Sequence, residues 1–145
     1  MTTPIRFRRL LLVSCILLLG VALVLAVEVI PAVKTDHFRG ATSQRAVPVF
    51  WFMIAVNLLA SAALARTAFL EVHAGWGWRI LTWAVAAVVL LFALALADGG
   101  HAYFGHGPEM LQASVCMFFG ASCDVIAGAL AVIAAFLQPG EPKAA

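Results

Sequence analysis

Four long apolar runs, at residues 10–33, 47–65, 80–97 and 110–137, constrain this chain more than any other feature. A bilayer core about 30 Å thick is crossed by about 20 apolar residues in a helix rising 1.5 Å per residue, and each run is close to that length or beyond it. Lipid supplies no partners for backbone amides, so each run must close its own hydrogen-bond ladder as a helix. The expectation is an all-α membrane protein, a four-transmembrane-helix bundle making a single transmembrane domain over residues 1–145. Composition agrees, with 64% hydrophobic and 11% charged residues. A soluble domain carries about 25% charged residues.

The first run follows Arg6, Arg8 and Arg9, a basic start that resembles a secretory signal peptide. Its apolar stretch exceeds the roughly 7 to 15 residues of such a signal, so it is read as the first membrane helix. Polar stretches at 34–46 and 66–79 separate the next runs, and Asp98, Gly99 and Gly100 are expected to end the third helix. No internal repeat or low-complexity segment stands out.

Basic residues set the expected orientation. With the N terminus inside, Arg6, Arg8, Arg9, Arg66, Arg79 and Lys143 face the cytoplasm, against Lys34, Arg39 and Arg45 outside. Both termini are therefore expected inside (N-in/C-in), in a bacterial-type inner (plasma) membrane. Aromatic residues fall at the matching boundaries, with Phe50, Trp51, Tyr103 and Phe104 at the outer one and Trp76 and Trp78 at the inner one. A net charge of +2, spread over the chain, is too weak a footprint for nucleic acid. The expected partners are the lipid bilayer and other membrane protein subunits.

Asp124 lies near the middle of the fourth run, where a charged side chain costs about 3 kcal/mol on insertion scales. It is expected to point inward. Cys116, Gly120, Asp124 and Gly128 recur at every fourth residue, a stripe small enough to let another helix approach closely. Asn57, with Ser61 one turn later, sits midway along the second run at matching depth, within reach of a hydrogen bond to Asp124 across the bundle. Two readings compete for Asp124: a site for a proton or cation, or a neutral acid that ties helices together. Glu28, near the outer end of the first run, is expected to reach the interface or to pair with Lys34.

The outer segment 98–109 concentrates Asp98, His101, His106 and Glu109 among glycines, with His37 in the first loop on the same expected face. Imidazoles and carboxylates together can hold zinc, copper or iron. The five-residue spacing of His101 and His106 is not that of a helical metal pair, so the competing reading is a polar turn whose Glu109 favours the N terminus of the fourth helix. Cys15, Cys116 and Cys123 lie within apolar runs and are read as packing residues. Cys116 and Cys123 stand about 10 Å apart along one helix axis, too far for a disulfide.

No phosphate loop, nucleophile elbow, haem-attachment motif or dinucleotide fingerprint is present, so no catalytic residue and no cofactor is assigned. Whether the chain is an enzyme stays open. Scarce polar chemistry favours an accessory or structural subunit packing against a larger membrane complex. The alternatives are a small proton-coupled or cation transporter using Asp124, and a metal-binding or redox protein using the 98–109 segment.

Overall fold

Because the apolar runs must satisfy their backbones internally, nearly all of the chain is wound into helix. The computed structural model describes residues 3–35, 41–69 and 76–137, with side chains at 5–35, 45–69, 76–108 and 110–137. Helix α1 (Thr3–Val24) passes through a π-helical turn at Leu25–Val29 into the short α2 (Ile30–Thr35). Then come α3 (Ala41–Phe69), α4 (Trp76–Tyr103) and α5 (Pro108–Leu137). Four spans are long and apolar enough to cross a membrane, at Ile5–Thr35, Arg45–Phe69, Trp76–Tyr103 and Met110–Leu137, and no strand occurs among the described residues.

The π-turn has a local cause. Pro31 has no N–H to offer the carbonyl four residues back, and its ring crowds that carbonyl. The helix widens, and the Ile30 N–H reaches back five residues to the Leu25 oxygen. Such turns are frequent at functional sites.

The expected stop at Asp98–Gly100 is overturned: α4 continues through both glycines to Tyr103. Close packing explains why glycine stands there. A Cβ on Gly100 would lie 3.2 Å from the Ser114 carbonyl oxygen and 3.3 Å from Met117 Cβ, so α4 and α5 touch backbone to backbone at this level. The stop comes later, where Phe104 N–H bonds back to Gly100 and His101, and Gly105 and Gly107 take φ of 88° and 111°. Those left-handed values suit residues without a Cβ.

Direct bonds fix the order of helices around the bundle. Cys15 Sγ donates to the Ser61 carbonyl and Ser61 Oγ to the Cys15 carbonyl, both at 3.3 Å, pinning α1 to α3. Ser14 Oγ reaches the Ala127 carbonyl at 3.1 Å, and Gln112 Nε2 reaches Glu28 at 2.9 Å, so α1 and α5 run antiparallel. Ser114 Oγ donates to the Gly100 carbonyl, joining α5 to α4. The start of α1 and the end of α5 thus share one side of the bundle.

Helices α3 and α4 meet less closely. Phe52 and Phe92 stack edge to face at 5.9 Å and Arg66 lies 6.0 Å from the Trp78 ring, while a groove of ≈ 290 Å³ between these points is floored by Ala60, Ala63 and Ala84.

The buried apolar side chains divide into two clusters, one in each half of the bundle. One holds Val21, Leu25, Val29, Met53, Ile54, Leu96, Met117 and Cys123; the other holds Leu11, Cys15, Leu18, Ala60, Leu64, Val89, Ala127 and Ala131. On α3 the boundary falls between Ile54 and Ala60, and on α5 between Cys123 and Ala127. Asn57 and Asp124 occupy those gaps.

Candidate functional site

Asp124 is placed by its neighbours on the α5 stripe. One turn before it, a Cβ on Gly120 would meet Leu96 and Val21 at 3.5 Å; one turn after it, a Cβ on Gly128 would come within 2.9 Å of Leu90 Cγ and 3.5 Å of the Ala86 carbonyl. Small residues therefore bring α4 against α5 on both sides of the acid, with α1 alongside. The carboxyl group is enclosed by its own bundle, at 0% exposure.

No hydrogen-bond partner reaches either carboxyl oxygen among the described residues. The other polar residues buried in the bundle, Ser14, Asn57, Ser61, Thr67, Thr82 and Ser114, each have one. Ser14, Ser61 and Ser114 donate to carbonyls of neighbouring helices, and Thr67 and Thr82 to carbonyls four residues back at 2.9 Å. Asn57 Nδ2 donates to the Met53 carbonyl at 3.1 Å. The expected Asn57–Asp124 bond is therefore absent, because the amide turns along its own helix to the carbonyl one turn back.

Among the described residues Asp124 thus has neither a donor nor a counter-charge. An ionised carboxylate in such a place carries a desolvation penalty of several kcal/mol, whereas the neutral acid needs only an acceptor for its O–H. The other way to balance the charge is a bound cation.

Glu28 lies in the π-turn, half-buried, at the edge of a groove of ≈ 250 Å³ shared with Pro31, Thr35 and Gln112. Its partner is Gln112, not Lys34. Residues six apart on a helix do not share a face, as residues three or four apart do.

The outer segment is spread out. Asp98 and His101 are exposed on α4, while His106 is half-buried in the turn, its ring perpendicular to that of Tyr103 with centroids 6.2 Å apart. Glu109 opens the first turn of α5, but its side chain, like the whole of His37, lies outside the described residues. Among the described residues no three His, Cys, Asp or Glu side chains are grouped to hold a metal. Cys15, Cys116 and Cys123 are all free thiols.

Two features escaped the sequence reading. Ser14 bridges α1 to α5, and only a serine inside an apolar run hinted at it. Gln112 accepts the role expected of Lys34, and its place one turn into the fourth run was the available signal.

Comparison with protein-family models, with curated proteins and with solved structures gives no match to this chain.

Proposed function

We propose that this multi-pass membrane protein takes up and releases a proton or small cation at Asp124, as a small proton-coupled or cation transporter. One observation carries the reading: the carboxyl group is fully enclosed, and among the described residues neither of its oxygens has a hydrogen-bond partner, whereas the buried serines, threonines and Asn57 all have one. A side chain that merely ties helices together has something to tie to, as Ser14 and Ser61 do. Intramembrane acids face partners, water or transported ions because the alternative is expensive. In this reading the arginine-rich end, with both termini, faces the cytoplasm of a bacterial-type plasma membrane.

The test is proton uptake into liposomes holding the purified protein and an entrapped pH-sensitive dye. An imposed pH step should relax faster than in empty liposomes, and Asp124→Asn should return the rate to the empty value. Equal rates for the native protein and a folded Asp124→Asn variant would refute the role of Asp124.

A second reading, an accessory subunit of a larger membrane complex, is favoured by the groove between α3 and α4. Its small floor of Ala60, Ala63 and Ala84 would admit a helix from another subunit. Under this reading the chain purifies from mild detergent in fixed stoichiometry with another membrane protein, and Ala63→Trp breaks that association while Asp124→Asn does not. Recovery of the chain alone counts against it.

A further inference from the structure

The arginine-rich end of the bundle carries a second groove, unrelated to Asp124. It lies between the start of α4 and the end of α5, has a volume of ≈ 640 Å³, and is lined by Trp76, Arg79, Trp83, Ala87, Ala135 and Phe136 among others. That volume is within the roughly 300–1,000 Å³ of ordinary ligand pockets. Trp83 and Phe136 close one wall, their rings edge to face at 5.1 Å, and the Arg79 guanidinium lies 6.0 Å from the Trp76 ring.

The groove is polarised along its length. Arg79 and Trp76 stand at its mouth, whereas Ala87 lies eight residues deeper, about 12 Å along the helix. A charged mouth over an apolar channel complements an amphiphile. A partner helix would have no use for the charge, and a soluble anion none for the channel.

Arg79, the one cation lining the groove among the described residues, selects an anionic headgroup, and the charge around it is of the same sign. Arg6, Arg8 and Arg9 at the start of α1 and Arg66 near the end of α3 are exposed at this same end. The described acids whose side chains are placed, Glu28, Asp98 and Asp124, all lie elsewhere. Tryptophan at the boundary suits the headgroup level of a bilayer. We infer that this groove is a binding site for an anionic phospholipid, with the phosphate at Arg79 and an acyl chain along Trp83, Ala87 and Phe136.

The test uses tryptophan fluorescence in bilayers. In a Trp51→Phe, Trp78→Phe background only Trp76 and Trp83 emit, and both line the groove. Acyl-brominated phosphatidylglycerol should quench them with an apparent affinity on the order of five-fold above that of brominated phosphatidylcholine, the contribution expected of one interfacial arginine. Arg79→Gln should remove the preference, and Arg66→Gln should leave it. Ala87→Phe fills the channel with Arg79 in place and should weaken quenching by both lipids. Equal quenching of the native groove by the two lipids overturns the inference. So does a preference that survives Arg79→Gln, one lost equally in Arg66→Gln through diffuse surface charge, or quenching indifferent to Ala87→Phe.

Discussion

Asp124 on α5 and Asn57 on α3 both lie where the two apolar clusters meet, yet they do not bond: Asn57 turns its amide to the Met53 carbonyl and leaves the acid alone. The middle of the bundle is thus a polar waist with only one side satisfied. A folded core ordinarily pairs its buried polar atoms, so an unpaired one marks a place for a water, an ion or another ligand, or a strain held for function.

Asp124→Leu should therefore stabilise the fold. Leucine has the same branching as aspartate, no partner is lost, and a buried polar group is removed, a change worth about 1 to 3 kcal/mol in favour of the folded state. Reversible unfolding in mixed micelles measures it. Proton uptake should vanish in the same variant, the stability–function opposition seen where an active group is held in an unfavourable place. A fall in stability would mean that Asp124 bonds to something that holds the helices.

The glycines separate into those that permit contact and those that do not. A Cβ on Gly100 would press on the Ser114 carbonyl and Met117 Cβ, backbone-anchored atoms that cannot swing aside. Gly100→Ala should cost about 1 to 3 kcal/mol, as overpacking does. A Cβ on Gly20 meets nothing within 4 Å. Gly20→Ala should be neutral or gain up to about 1 kcal/mol from helix propensity. Unfolding of the two variants side by side checks the difference, and equal effects would contradict the close approach of α4 and α5.

Gly99 and Gly100 also show what was legible in the sequence. Hydropathy reveals where a chain is apolar, so it found the four spans and the membrane class. It does not reveal where a helix stops, since outside the hydrocarbon a helix can carry polar residues. Hence α3 begins at Ala41 and α4 runs to Tyr103, both beyond the apolar runs. Gly99–Gly100 read as a breaker because glycine has one sequence signature for two uses, turning a chain and admitting a neighbour. Asp124 was legible because a lone acid in an apolar run has few explanations. Its lack of a partner was not, since whether Asn57 turns across the bundle or along its own helix depends on rotamers that spacing does not encode.

Topology gives a prediction that depends on few details. The start of α1 and the end of α5 share a side, and the arginines of that side, Arg6, Arg8, Arg9, Arg66 and Arg79, favour the cytoplasm. A green fluorescent reporter fused after Ala145 should fluoresce in cells and an alkaline phosphatase reporter there should stay inactive. Insertions at Gly105 should give the reverse. The opposite pattern at both places would invert the orientation.

Pro31 offers a test of what holds the π-turn. Two effects oppose each other in Pro31→Ala. Restoring the N–H and removing the ring favours a regular α-helix by about 3 kcal/mol. Rewinding would turn Glu28 away from Gln112, losing a polar pair worth about 1 kcal/mol in a membrane protein. It would also turn Ile30 and Val33, now buried, toward lipid, which is as apolar as the interior they leave. The backbone should win. A double-mutant cycle between Glu28→Gln and Gln112→Ala should show measurable coupling in the native background and none beyond about 0.5 kcal/mol with Pro31→Ala. Coupling that persists would mean that packing of α2 against α3 and α5, rather than the proline, keeps the turn wide.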